Sequence, residues 1–202
     1  MLGDISLKQS QNTSPAGGDR GKRIHPHKFT LWVAIGSIIM MFAGLTSAYI
    51  VKSNQAGWQS IEMPHIFWYS TGTIVLSSIM MQMALRSFKQ REMNHYRLLM
   101  AGTFILGVAF VILQWIGFRQ LWNSGIQFKG SSGGGQFLYV IAGLHALHVF
   151  GGVIALMVMF IKAFFGRVKF YGSVPVELMA TYWHFVDFLW IYLLVFFMLI
   201  GQ

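Results

Sequence analysis

The sequence predicts an all-α fold, a polytopic membrane helical bundle with five transmembrane helices. The chain is 55% hydrophobic and only 10% charged, whereas a soluble domain has about 25% charged residues. The apolar residues also gather in five runs, each long enough to cross about 30 Å of hydrocarbon as a helix. A chain of 202 residues suits one such bundle. The absence of cysteine excludes disulfides, thiolate metal sites and cysteine nucleophiles.

Two regions follow from this pattern. Residues 1–28 are mostly polar and end in a basic cluster, and they hold too little apolar surface to fold alone, so a flexible cytoplasmic tail is expected. Residues 29–202 form the five-helix transmembrane domain. Its predicted spans, in chain order, are about 29–51, 66–85, 98–118, 137–161 and 178–200. The run after the tail is too long for the apolar core of a secretory signal.

The basic residues predict the orientation of the bundle. Twelve of the 15 Lys and Arg residues lie in the tail and near 86–97 and 162–177, and the other three are Lys52, Arg119 and Lys129. The positive-inside rule then places the N-terminus in the cytoplasm and the C-terminus outside, which agrees with an odd number of spans. This distribution explains the net charge of +9 without nucleic acid as a partner.

Ionisable side chains occur only in the last two spans. His145 and His148 are three residues apart in the fourth, and His184 and Asp187 are three apart in the fifth. Each pair therefore shares one helix face. A charged group near the centre of a membrane helix costs about 2.5–3.5 kcal/mol or more, so these faces should meet protein or water rather than lipid.

The two histidines allow two interpretations. Residues at this spacing could hold a metal ion or a haem iron. The favoured interpretation is a pair of hydrogen-bonded imidazoles inside the bundle, because buried polar groups are normally satisfied in that way. We also expect the His145/His148 face to meet the His184/Asp187 face across the bundle or across a subunit boundary, since both lie near the midplane. Small residues four apart, such as Gly44 with Ala48 and Gly151 with Ala155, predict close helix contacts.

The two polar segments resemble subunit III of the haem-copper terminal oxidases. The last span carries Trp190 and a stretch similar to the family's last-helix signature, Tyr182-Trp183-His184-Phe185-Val186-Asp187. The fourth span is similar to a Gly-Phe-His-Gly-Leu-His-Val segment and reads Gly143-Leu144-His145-Ala146-Leu147-His148-Val149. Leu113-Gln114 and Gly107 resemble a middle helix, and the likeness runs from about residue 28 to the end.

The resemblance implies an accessory, non-catalytic subunit of a cytochrome c oxidase-type enzyme in a bacterial-type inner membrane. The complex would reduce oxygen to water and translocate protons, with haem and copper in partner subunits I and II and no cofactor in this chain. Bound phospholipid and membership of a larger respiratory supercomplex are compatible with it. The family's intramembrane polar positions would have structural or proton-environment roles, and the candidates are His145, His148, Glu177, Tyr182, His184 and Asp187.

Two features depart from the longer members of that family. Those members have seven spans, and this chain resembles the last five, so the lipid cleft formed with the first two helices would need another subunit. A buried glutamate is also absent from the first span, since no acid occurs between Asp19 and Glu62. A role that depends on that carboxylate should be absent or moved.

Three alternatives remain open at this stage. The first is subunit III of a quinol oxidase, because the electron donor would not bind this subunit. The second is a small proton-conducting transporter that uses the His/Asp face as a relay. The third is a membrane haem-binding subunit with His145 or His148 as axial ligand.

Overall fold

The structure, a computed structural model, describes residues 26–54, 64–124, 133–165 and 172–200. Within these ranges the chain forms five α-helices and no strand. The helices are α1 (Pro26–Ser53), α2 (Ile66–Lys89), α3 (Met93–Asn123), α4 (Gly133–Phe165) and α5 (Val174–Ile200). Each contains one predicted span, and the prediction of an all-α membrane bundle is confirmed. Residues 1–25 of the predicted tail lie outside the described residues, whereas residues 26–28 belong to α1.

The helices are longer than the spans predicted for them. The shortest, α2, has 24 residues and is therefore about 36 Å long at 1.5 Å per residue. Four helices, α1, α3, α4 and α5, are long and apolar enough to cross a membrane. The helix α2 has the length but is less apolar, because it carries several Ser and Thr residues and Gln82. Five of those polar side chains bond to neighbouring helices, as described below.

The packing order of the helices differs from their order in the chain. Contacts run in a closed ring from α1 to α4, α3, α2, α5 and back to α1, and α4 also contacts α5. The α2–α3 contact is the most extensive, and a tight turn joins these helices. Arg91 in that turn has a φ of 66°, the left-handed conformation with which many helices end.

The core lies where α5 meets α2, α3 and α4, and Trp183 is at its centre. The Trp183 side chain is fully buried. Its ring fits between Gly107 of α3 and Gly152 of α4, where an added Cβ would lie 3.1 Å and 3.0 Å from ring atoms. Glycine at these two positions therefore lets three helices approach around one indole. A second core, which includes Phe42, Tyr49 and Leu193, joins α1 to α4 and α5.

Ion pairs join helix ends on one side of the bundle. Glu177, in the first turn of α5, accepts from Lys28 at 2.7 Å and from Lys89 at 3.2 Å. At the same end Arg97 of α3 donates to the backbone oxygen of Ala163 in α4 at 2.8 Å. The start of α1, α3 and α5 and the end of α2 and α4 thus meet at one face. This alternation is the one expected of five successive spans.

Candidate functional site

Polar side chains inside the bundle are concentrated along one face of α2. We call Ser70, Thr71, Ser77, Ser78 and Gln82 the α2 polar seam. Ser70 and Ser77 are seven residues apart, as are Thr71 and Ser78, and Gln82 follows Ser78 by four. These spacings keep all five on one side of the helix. All five bond to side chains of α3 or α5. The seam therefore explains why a helix of lower hydropathy belongs inside a membrane bundle.

Two tryptophans of α5 donate their indole N–H groups to the seam. The Trp183 Nε1–H group donates to the Ser77 hydroxyl at 3.1 Å, and the Trp190 Nε1–H group donates to the Thr71 hydroxyl at 3.0 Å. The Ser77 hydroxyl in turn donates to the backbone oxygen of Thr103 in α3 at 3.2 Å. Buried indole groups need such partners, and here the partners connect α5, α2 and α3 in one network.

His184 bridges two members of the seam. Its Nε2 atom lies 3.2 Å from Oε1 of Gln82, and its Nδ1 atom bonds to the Ser78 hydroxyl. An amide oxygen only accepts, so Nε2 carries the hydrogen and the Nδ1 atom of the neutral ring accepts from Ser78. The two partners therefore fix the tautomer as well as the ring orientation.

Asp187 lies one helical turn beyond His184 and is only 4% exposed. Neither carboxyl oxygen has a hydrogen-bond partner among the described residues. The Ser78 hydroxyl is near enough to interact with the carboxyl group. However, Ser78 has one hydrogen, and it is directed to His184. Asp187 is thus the least satisfied polar group of α5.

The histidines of α4 have different neighbours. His145 is 2% exposed and stacks on Trp190, with the ring centroids 5.3 Å apart. Neither of its ring nitrogens has a partner within the described part of the chain. His148 donates from Nδ1 to the Leu144 backbone oxygen at 2.7 Å, and Phe42 of α1 packs against both rings.

Among the described residues, the predicted contact between the His145/His148 face and α5 is made by aromatic side chains rather than by His184 or Asp187. Tyr182 of α5 donates its hydroxyl to the backbone oxygen of His148 at 3.0 Å, and Trp190 stacks on His145. His184 turns instead towards α2. No hydrogen bond joins His145 to Asp187 in the described ranges. Glu177, the remaining candidate, lies away from all of them in the ion pairs at the end of α5.

Sequence reasoning predicts Gln82 and Gln114 as interhelical hydrogen-bond partners, which the structure confirms. It misses the hydroxyl residues of the α2 polar seam, although their signal was present. It directed attention to ionisable residues, whereas most of the seam is hydroxyl side chains. Those residues repeat with helical spacing in a run that holds no ionisable group. Hydroxyl and amide side chains on one face of a membrane helix are typical of bonds between helices.

The arrangement defines a class of protein, an integral membrane helical bundle whose polar groups bind its own helices together. The residues described contain no group of three or more His, Cys, Asp or Glu side chains that could hold a metal ion. The histidines of α4 and α5 are engaged with different helices and do not converge.

Comparison with known proteins gives the family. The family model described as cytochrome c oxidase subunit III matches residues 27–202, and the chain belongs to that family, a subunit of haem-copper oxidases. It is 29% identical over 180 residues to a probable cytochrome c oxidase subunit 3 of Mycobacterium bovis, covering 84% of this chain and 88% of the relative. It is 26% identical over 202 residues to cytochrome c oxidase subunit 3 of Bacillus sp. (strain PS3), with 96% and 97% covered.

Proposed function

We propose that this chain is the accessory subunit of a cytochrome c oxidase-type complex and stabilises the catalytic subunit without carrying a redox centre. The observation that carries the proposal is the use of its polar groups. The indoles of α5, Gln114 and His184 are bound by the α2 polar seam. Groups engaged in this way hold helices together and are not free to ligate haem or copper, whereas His145 keeps both ring nitrogens without a partner in the described part of the chain.

The outer surface of α1 supports docking on other subunits. This helix contacts only α4 and α5 among the described helices. Large apolar side chains on it, including Trp32 at 63% and Met40 at 78%, are exposed. In a membrane such a surface faces lipid or a partner helix. We assign it to subunits I and II, with phospholipid between the subunits.

The ion-paired end of the bundle supports the proposed orientation. Lys28, Lys89 and Arg97 lie at this end of the bundle. By the positive-inside rule it faces the cytoplasm, so α1 begins inside and α5 ends outside the cell membrane.

Oxygen consumption by the complex, measured with and without this chain, tests the proposal. With reduced cytochrome c as donor, the complex that lacks the chain should begin at the normal rate and lose activity over successive turnovers. Adding the purified chain back should restore sustained turnover. Equal decay in both preparations would contradict a supporting role. Turnover with a quinol, but not with cytochrome c, would assign the chain to a quinol oxidase.

A second candidate function is proton conduction along α5. The observation that favours it is the position of His184 between Ser78 and Gln82, one turn from the buried Asp187. Such groups could pass protons within the membrane. The isolated chain in proteoliposomes should then dissipate a pH gradient, and Asp187→Asn should stop it. A tight membrane with the wild-type chain would remove this candidate.

A further inference from the structure

A pocket between α3, α4 and α5 lies beside the α2 polar seam, to which Gln114 and Trp190 of its wall are hydrogen-bonded. Its volume is about 120 Å³, and its wall includes Phe110, Gln114, Trp115, Phe118, His145 and Trp190. Trp115 is 73% exposed, so the pocket reaches the outer surface of the bundle between α3 and α4. A molecule dissolved in the surrounding membrane could enter there without crossing the core.

Two buried side chains in the wall have polar atoms without partners. Gln114 is 7% exposed and donates its amide to Ser70 at 3.1 Å, but its Oε1 atom has no partner in the described part of the chain. The same is true of both ring nitrogens of His145. Buried polar groups are nearly always satisfied, and each exception requires an explanation. An occupant that supplies the missing bonds would be such an explanation.

The rest of the wall limits what that occupant can be. Most of it is aromatic or aliphatic, which favours an occupant that is mainly apolar. The volume is close to that of an engineered apolar cavity, about 150 Å³, which binds benzene. The occupant should therefore have the size and character of one aromatic ring.

A hydroxyl on that ring would serve two of the three wall atoms that lack a partner in the described part of the chain. A neutral imidazole has one donor and one acceptor, and an amide oxygen is an acceptor. One hydroxyl group can both donate and accept, so it could donate to the Gln114 oxygen and accept from the N–H group of His145. We propose that the pocket binds a phenol-class molecule, a single aromatic ring with a hydroxyl group, taken up from the membrane.

Phenol and toluene are matched probes, since they differ mainly by a hydroxyl in place of a methyl group. The full chain, labelled with fluorotryptophan and held in lipid nanodiscs, would be titrated with each and followed by ¹⁹F NMR. Trp115 and Trp190 report on the pocket, and Trp68, exposed on α2, reports general partitioning. We expect saturable shifts at Trp190, with phenol bound about tenfold more tightly than toluene at equal concentration in the membrane, as one hydrogen bond would give.

Variants locate the interaction. His145→Phe keeps a ring that can stack on Trp190 but removes the nitrogens, and it should reduce the preference for phenol severalfold. Ala146 also lines the pocket, so the larger side chain of Ala146→Leu should abolish binding of both probes. Gly151→Leu on the same helix, where an added Cβ meets nothing within 4 Å, should leave binding unchanged.

Three results would overturn the proposal. They are equal affinity for phenol and toluene in the wild-type chain, shifts at Trp68 that match those at Trp190, and an unchanged preference for phenol in His145→Phe. The comparison of the two probes needs no variant, so it remains decisive if a substitution prevents folding.

Discussion

The helices α1 and α2 both pack against α5, but they do so by different means. The contact of α1 with α5 is mainly aromatic and aliphatic, as in the edge-to-face packing of Tyr49 on Phe196. It includes one side-chain bond inside the bundle, between Thr46 and Tyr192 at 3.1 Å. The contact of α2 with α5 includes Trp183 with Ser77, Trp190 with Thr71, and His184 with Ser78 and Gln82.

This difference shows what polar residues do in a membrane bundle. Lipid is as apolar as leucine, so apolar contact alone drives helices together weakly, and close packing and hydrogen bonds decide the arrangement. The helix with lower hydropathy is therefore the one whose position is most strongly specified. The more apolar α1 keeps an exposed surface that suits contact with lipid or other subunits.

The largest expected effect comes from removing the indole that joins α5 to α2. Trp183→Ala should destabilise the chain by about 3–5 kcal/mol, because the fully buried ring leaves a cavity between three helices. Unfolding in mixed micelles, followed by circular dichroism, measures this change. Trp32→Ala on α1, where the side chain is 63% exposed, is the control and should cost much less. Equal costs would contradict the difference between the two helices.

Neighbouring glycines of α4 provide a second test of packing around Trp183. Gly152→Ala places a Cβ about 3.0 Å from the ring and should cost about 1–3 kcal/mol through overpacking. Gly151→Ala meets nothing within 4 Å and should be neutral or stabilise the helix by up to about 1 kcal/mol. The same unfolding assay compares them, and a reversed order would show that Trp183 does not occupy this position.

Removing one hydroxyl of the α2 polar seam should have a moderate effect. Ser77→Ala leaves the indole N–H group of Trp183 without its partner and removes the bond from Ser77 to the Thr103 oxygen. It should cost about 0.6–1.7 kcal/mol, from the average to the largest value measured for such bonds in a membrane protein. Ser37→Ala on α1 is the control, because within the described ranges Ser37 bonds only to its own helix, at the Val33 oxygen. A Ser77→Ala variant as stable as Ser37→Ala would mean that the seam adds no stability.

The smallest expected effect is at Glu177 of α5, which forms ion pairs with Lys28 of α1 and Lys89 of α2. Glu177→Gln should destabilise the chain by about 0.5–1 kcal/mol at low salt, as for partly exposed pairs. The difference from wild type should shrink as salt is added, because the charges are screened. Glu92→Gln, which removes a local contact with exposed His95, is the control. A loss at Glu177 that does not depend on salt would point to packing rather than charge.

Much of the fold could be predicted from the sequence, because hydrocarbon length constrains helices strongly. All five helices contain the predicted spans, and the basic residues Lys28 and Lys89 lie at the same end of the bundle as predicted. The order in which the helices pack could not be predicted. It depends on which small residue meets which side chain: the spacing of small residues singled out Gly44 and Gly151, whereas Gly107 and Gly152 contact Trp183.

The sequence predicts which residues belong to the candidate site but not which residues they contact. His145 and Asp187 are buried, as their spacing and cost implied. Their partners could not be derived, because helical spacing fixes a face and not the neighbour that the face meets. His184 therefore bonds to α2, a helix without ionisable residues in its span, and His145 stacks on Trp190.

Purification from the native membrane through a C-terminal tag in mild detergent tests the central claim most directly. An optical spectrum and mass spectrometry would identify what remains bound. The account predicts that haem- and copper-containing oxidase subunits accompany the chain, and that the chain separated from them is colourless. A haem spectrum on the separated chain, or a chain that purifies without oxidase subunits, would contradict it.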